Sequence, residues 1–196
     1  MLRRLTLSAA LGVLIVAASC AETPKPEEAP APVAATAPPK VEGPYYELTK
    51  DEVTSHPDWT SMNVMLKGIK IGDKGAAIEK TLGTADKIDL VGVDYYRAVY
   101  GKSSFSIYTY KHTTELQKIE IFGRMADQIA DPKFKKLLST HDLKFMREAF
   151  GMEESAAQNL DTTAMEWIYD AKGFRFAEYN LTGQKVYALV FSKIKK

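Results

Sequence analysis

The chain has 196 residues, 45% of them hydrophobic, a formal net charge of +1 from 26 Lys+Arg against 25 Asp+Glu, and a single cysteine. A charge this close to zero argues against nucleic acid as a partner, because neutralising several phosphates requires a clustered excess of Lys and Arg. One cysteine excludes an intramolecular disulfide framework and a cysteine-rich zinc site. The composition therefore predicts one ordinary domain, or two very small ones, held together by a hydrophobic core.

The first residues are typical of a secretory signal. Arg3 and Arg4 form a basic start, and a nearly uncharged run rich in Leu, Val, Ile and Ala follows over 5–18. A membrane-spanning helix needs roughly 20 apolar residues, so this run is too short to cross a bilayer. The pattern predicts a signal peptide over 1–19 that is removed.

Cys20 ends the sequence Val16-Ala17-Ala18-Ser19-Cys20, which resembles the bacterial lipobox. The resemblance implies cleavage before Cys20, diacylation of its thiol and acylation of the new amine, commonly with palmitate. Several acyl chains anchor a protein firmly, since each buried CH₂ contributes about 0.8 kcal/mol. Ala21 follows the cysteine, which by analogy with enterobacterial sorting favours the outer membrane. We therefore expect a lipoprotein of the bacterial envelope that is tethered to the membrane without spanning it.

The composition of residues 20–44 predicts a tether. They hold seven of the nine prolines and no aromatic residue. Such a segment cannot bury enough apolar area to offset the entropy of ordering, so we expect a disordered linker with polyproline-II character.

The folded part is predicted to be α+β, a tandem repeat of helix-helix-antiparallel sheet units over 45–125 and 126–196. In the first unit, a capping-box spacing at Thr49–Glu52 starts a helix that ends near His56–Pro57, and a second helix covers Lys74–Leu82. Three strands follow in each unit, and the second unit has helices from Asp131-Pro132 and over 140–150. The six predicted strands are 95–100, 105–111, 116–122, 164–169, 174–179 and 185–191. Corresponding positions recur roughly 70 residues apart, which indicates a duplicated unit.

The segment Gly72–Asp86 resembles the helix-and-turn signature of the small protein A/outer-membrane lipoprotein A (BamE-like) family. The matching positions are the first Gly, an aliphatic residue six on, Leu ten on and Gly eleven on, here Gly72, Ile78, Leu82 and Gly83. Two such units behind a secretory signal also resemble the β-lactamase-inhibitor-protein-like superfamily, whose concave sheet grips a partner protein. Both resemblances imply a non-enzymatic protein-binding or assembly role.

The sequence offers no recognisable catalytic or metal site. His56, His112 and His141 stand apart without metal-ligand spacing, and the sole thiol lies at the predicted acylation site. Asp86, Asp89 and Asp94 lack the ligand pattern of an EF-hand and indicate a solvated loop. We therefore expect no cofactor, no metal and no enzymatic activity.

The sheet remains as the candidate site. Alternation along the strands predicts that one face packs on the helices, through Phe105, Ile107, Ile119, Ile121, Phe174, Phe176, Ala188 and Val190. The opposite face then carries aromatic side chains that suit a protein interface, namely Tyr108, Tyr110, Phe122, Tyr179, Tyr187 and Phe191. Two possibilities remain open, an exposed partner-binding face or a face covered by the protein itself.

The function expected from these patterns is a membrane-anchored scaffold that binds an envelope protein in assembly or anchoring of an outer-membrane complex. The alternatives are a periplasmic enzyme inhibitor and a carrier of a small apolar ligand such as a lipid. An inhibitor should bind when detached from the membrane, whereas a scaffold should depend on its tether and a carrier should be purified with lipid.

Overall fold

A computed structural model of the chain describes residues 43–159, 163–181 and 183–194, which fall in one unit of the chain, Pro39–Lys196. The predicted signal peptide, Cys20 and all but the last two residues of the predicted linker lie outside the described residues. Among the described residues, no helix has both the length and the apolar character needed to cross a bilayer.

The described chain begins with a small three-stranded sheet. Its strands are β1 (Tyr46–Glu47), β2 (Val64–Leu66) and β3 (Ile69–Lys70). β1 and β2 are parallel, and β2 and β3 form an antiparallel hairpin. The two-residue hairpin turn requires positive φ at both positions, which Lys67 and Gly68 adopt at 50° and 82°.

The helix predicted from Thr49 to His56 is not formed, and only Val53–Ser55 make a short 3₁₀ turn. The Thr49 backbone N–H and hydroxyl both donate to Glu47, at 3.3 and 2.9 Å. This local bonding takes the place of the predicted capping box, because side chains of this kind offer the backbone an alternative to the helix.

The other strands of the described chain form a single eight-stranded sheet. In chain order they are β4 (Lys87–Val91), β5 (Tyr95–Tyr100), β6 (Phe105–Tyr110), β7 (Leu116–Phe122), β8 (Ser155–Gln158), β9 (Met165–Tyr169), β10 (Phe174–Leu181) and β11 (Gln184–Ser192). Their order in the sheet is β4-β5-β6-β7-β11-β10-β9-β8, and all neighbours are antiparallel. Two four-stranded meanders therefore meet where β7 pairs with β11, and β4 and β8 form the edges.

In the described part of the chain, three α-helices accompany the sheets: α1 (Gly75–Leu82), α2 (Pro132–Thr140) and α3 (Leu143–Phe150). The start of α2 is as predicted, because the Asp131 carboxylate accepts hydrogen bonds from the first-turn backbone N–H groups and Pro132 occupies the first helical position.

The predicted helix over 140–150 is shorter in the structure. His141 takes a left-handed φ of 56° and ends α2, and the Asp142 carboxylate then caps α3. The turn between the two helices therefore uses residues that the apolar pattern assigned to the second helix.

The core lies between one face of the eight-stranded sheet, here called the helix-side face, and the helices with the small sheet. Phe134 of α2 and Phe174 and Phe191 of the sheet are at most 1% exposed. Trp59 closes this cluster from the N-terminal segment, with its ring 5.5 Å from that of Phe134 in an edge-to-face arrangement. The opposite face of the sheet is called the outer face.

The predicted α+β class is confirmed, but the structure does not show a repeat of helix-helix-sheet units. The first half has one α-helix and the small sheet where a second helix was expected, and the strands of both halves belong to one sheet. The prediction also missed β4 and β8. Asp89, assigned to a solvated loop, lies in the middle of β4.

Candidate binding site on the outer face of the sheet

The structure divides the six aromatic residues predicted to bind a partner. Four lie on the outer face: Tyr108 and Tyr179 are buried, at 7% and 8% exposed, and Tyr110 and Phe122 are half-buried. Tyr110 packs edge-to-face against Tyr95 across the strands, with ring centroids 5.7 Å apart. Side chains of the outer face therefore bury one another in part.

The remaining two, Tyr187 and Phe191, lie on the helix-side face, which corrects the prediction for β11. Phe191 pairs across the strands with Phe174 in the core, and the Tyr187 ring stacks on His141 at 4.0 Å and on Phe176 at 5.7 Å. The residues predicted to face the core, Ala188 and Val190, pack instead in a separate cluster with Tyr179.

The error has a physical cause. β11 is central in the sheet and buried on both faces, so every position from Val186 to Phe191 is apolar and alternation carries no signal there. The register of β11 with β10 determines which side chains of β11 face the helices, because Phe174 and Phe176 pair with Phe191 and Leu189.

Glu120 organises the centre of the outer face. It is 2% exposed and accepts hydrogen bonds from the hydroxyls of Tyr108 and Tyr179, at 2.7 and 2.8 Å, and from the Lys118 ammonium at 2.8 Å. The Lys118 Nζ also lies 3.7 Å from the centre of the Tyr108 ring. This cluster joins β6, β7 and β10, and therefore both meanders.

The two phenols of this cluster stay protonated. Burial, reinforced by the neighbouring Glu120 carboxylate, raises the pKa of the Tyr108 and Tyr179 hydroxyls above their ordinary value. Both hydroxyls are thus donors committed to Glu120, which leaves them poorly placed to serve as the partner contacts that the sequence predicted.

Beside this cluster lies an open cavity of about 620 Å³, here called the basic groove, which is lined by the outer face, the adjoining turns and two side chains from the helix side, Tyr187 and His141. Its cationic lining comprises Lys87, Arg97, Lys102, Arg124, Lys185 and His141, the last a potential cation. Its apolar lining comprises Val99, Phe122, Leu181, Val186 and Tyr187. Among the described lining residues Asp86 is the acidic one, so positive groups outnumber negative ones there.

The turn between β5 and β6 holds the rim of the groove in place. Lys102 and Ser103 take left-handed φ values of 53° and 67°. The Lys102 backbone N–H donates to the Asp86 carboxylate at 2.7 Å, and the Arg124 guanidinium donates to the Lys102 carbonyl at 2.5 Å. The Asp86 carboxylate is therefore hydrogen-bonded to the backbone of the turn that carries Lys102.

The cations of the groove differ in how fully they are neutralised. Lys87 and Arg97 both reach Asp89, at 2.8 and 2.7 Å, and their hydrogen bonds lower the pKa of that carboxyl. For Lys102 and Arg124, no carboxylate of the described residues lies within 4.0 Å. These two side chains leave net positive charge at the rim.

This lining can hold an anionic group beside an apolar one. An apolar floor with a few placed polar groups is the usual composition of binding pockets, and the cavity falls within their ordinary range of volume. The three histidines lie apart: His56 stacks on Tyr46, His112 lies 4.0 Å from Asp94, and His141 packs on Tyr187. Within the described ranges, no group of three or more His, Cys, Asp or Glu could hold a metal ion.

Sequence reasoning missed the basic groove. Lys102, Arg124 and Lys185 come from three separate segments, and their meeting depends on β11 pairing with β7. The sequence did predict the strands 95–100 and 105–111 on either side of the turn that carries Lys102, and these strands pair as a hairpin. The turn that carries Lys102 is brought near the turn after β10 by the pairing of β7 with β11, and neither strand carries a local signal for that pairing.

Comparison with known proteins gives little similarity. No family model matches the sequence, and no curated protein matches it. The structure of a DUF4309 family protein (YjgB) from Bacillus subtilis aligns with a TM-score of 0.44 and 13% identity, over 65% of this chain and 84% of that chain.

Proposed function

We propose that this protein is a non-enzymatic lipoprotein of the bacterial envelope that binds a partner protein through the basic groove. The observation that carries the proposal is a cavity of about 620 Å³ whose apolar floor is rimmed by Lys and Arg side chains. The partner it fits presents an acidic segment with at least one apolar side chain, the carboxylates meeting Lys102 and Arg124 and the apolar group meeting Phe122 and Val186.

Charge complementarity of this kind chiefly sets encounter rate and specificity. The unneutralised cations at the rim would steer an acidic surface toward the groove, and this effect weakens as salt screens the field beyond about 10 Å at 0.1 M ionic strength. The apolar floor would then supply the area that holds the complex.

The location is proposed from the sequence. The lipobox-like residues ending at Cys20 and the proline-rich segment after them support an acylated anchor and a tether, with the outer membrane as destination. The likeness of Gly72–Asp86 to the BamE-like signature supports a role in assembly or anchoring of an outer-membrane complex.

The proposal extends to the origin of the fold as a duplicated unit. Support comes from the roughly 70-residue recurrence in the sequence and from the arrangement of two four-stranded meanders about the β7–β11 pair. On this view, the groove exists because the last strands of the two halves pair with each other.

A carrier of small ligands is a second candidate. The same lining, an apolar floor beside unneutralised cations, also suits an anionic amphiphile. A carrier would retain such a molecule during purification, whereas a protein-binding module would retain its partner.

We expect the full-length protein, purified from its own membranes in mild detergent, to bring down one envelope protein in roughly stoichiometric amount. The double variant Lys102→Glu/Arg124→Glu should reduce that recovery by about tenfold or more, since like charges placed against an acidic partner cost several kcal/mol. Mass spectrometry of the eluate, including a lipid extract, is the measurement.

The matched control is Lys50→Glu/Lys144→Glu, which changes net charge equally on exposed side chains outside the groove lining. It should recover the partner as the unaltered protein does, whereas Cys20→Ser should release the protein from membranes. Equal loss in the control and groove variants would contradict the groove as the site. An eluate with bound lipid and no partner would favour the carrier.

A further inference from the structure

The edge strand β4 differs from the opposite edge strand β8. Within the described residues, β4 pairs with β5 only, and its outward backbone groups hydrogen-bond to no other described residue. β8 presents only Ser, Ala and Gln at its edge. β4 instead carries Ile88 and Leu90, which are 65% and 55% exposed.

The side chains of β4 alternate in character. Ile88 and Leu90 project to the helix-side face, where Leu90 is paired across the strands with Tyr96, itself 38% exposed. Lys87 and Asp89 project to the outer face, where Asp89 is bound by Lys87 and Arg97. An exposed edge with an apolar row is a template for pairing with another strand, and natural proteins usually block such edges.

The pattern of β4 is complementary to itself. An antiparallel pairing of two copies centred on Ile88 places Ile88 against the partner's Ile88 on one face. On the other face it places Lys87 against the partner's Asp89, and Asp89 against the partner's Lys87. Opposite charges facing each other across strands stabilise a pair, and like charges destabilise it. A pairing centred on Asp89 would instead bring two aspartates together.

We propose that two copies of this chain associate through β4 to form a symmetric dimer with one continuous sheet. The symmetry axis of such an antiparallel pairing is perpendicular to the sheet, so both outer faces lie on the same side. Since Lys87 also lines the basic groove, the two grooves flank the joint and could engage a partner at two points. The dimer stands independently of the proposed function, because it rests on β4 alone.

The test is charge-swap rescue between two differently tagged full-length copies expressed together and purified in mild detergent. The unaltered copies should co-purify. When both copies carry Lys87→Glu, a glutamate faces Asp89 of the other copy. When both copies carry Asp89→Lys, a lysine faces Lys87 of the other copy. Each of these combinations should lower co-purification by about tenfold. Lys87→Glu paired with Asp89→Lys restores opposite charges at both positions and should return recovery to that of the unaltered pair.

Rescue in the mixed pair also shows that both variants are folded. Should either variant fail to accumulate, Ile88→Ser/Leu90→Ser is the second reagent, because both side chains are more than half exposed and their removal should weaken association without unfolding the monomer. Lys102→Glu/Arg124→Glu should keep the dimer and lose the partner, which separates this inference from the proposed function. Unaltered copies that do not co-purify, or a mixed pair no better than each variant alone, would overturn it.

Discussion

Replacing Glu120 by alanine is expected to lower the free energy of unfolding by about 3–5 kcal/mol, because it leaves buried donors without their common acceptor. The carboxylate is 2% exposed and receives the Tyr108 and Tyr179 hydroxyls and the Lys118 ammonium. Both phenols remain protonated, since burial raises their pKa, so neither can relieve the loss by ionising. Urea unfolding of the variant and the unaltered protein measures the difference.

The matched control is Glu148→Ala. Glu148 lies on the exposed surface of α3 with Lys144 at 3.8 Å, and an exposed ion pair of this kind contributes about 0–1 kcal/mol. Glu120→Gln keeps one acceptor oxygen and most of the volume, and should fall between the two alanine variants. A loss for Glu120→Ala no larger than that for Glu148→Ala would show that this cluster does not hold the two meanders together.

Gly173→Ala should have an effect of similar size for a steric reason. A β-carbon at this position would clash with the Ser61 hydroxyl oxygen and would lie 2.7 Å from the Ser192 carbonyl oxygen. These groups join the N-terminal segment to the end of β11, because the Ser61 hydroxyl donates to the Ser192 carbonyl and the Ser61 backbone N–H donates to the Lys172 carbonyl. Overpacking against backbone typically costs about 1–3 kcal/mol, and the left-handed conformation adds about 1 kcal/mol.

Gly92→Ala separates the two contributions. Gly92 has a φ of 60°, close to the 63° of Gly173, but an added β-carbon would meet nothing within 4 Å. It should therefore lose only the conformational part, about 1 kcal/mol. If thermal unfolding gave the same decrease for both variants, the close approach at Ser61 and Ser192 would carry no energetic weight.

Some local signals in the sequence predicted helix ends correctly, although others failed. α2 starts at Asp131-Pro132 and α1 ends at Gly83 because helix capping depends only on a few neighbouring residues. The helix expected at Thr49 failed because Glu47, two residues before it, takes the hydrogen bonds that a capping box would make.

Features set by distant strand pairing were not predictable in the same way. Joining of the two meanders depends on the pairing of β7 with β11, about which neither strand carries a local signal. The same pairing buries β11 on both faces, which erased the alternation and inverted its predicted orientation. It also brings Arg124 and Lys185 to one cavity with Lys102, so the candidate site could be found only after the fold was known.

The most direct test of the groove as a protein-binding site is photo-crosslinking in intact cells. A photoreactive residue at Ser103, exposed and in the groove lining, is compared with one at Lys144, exposed on α3 and outside it. We expect Ser103 to yield one crosslinked envelope protein, attached through an acidic segment, and Lys144 to yield none. Crosslinks to the same protein from Lys144 but not from Ser103 would contradict the groove as the binding site.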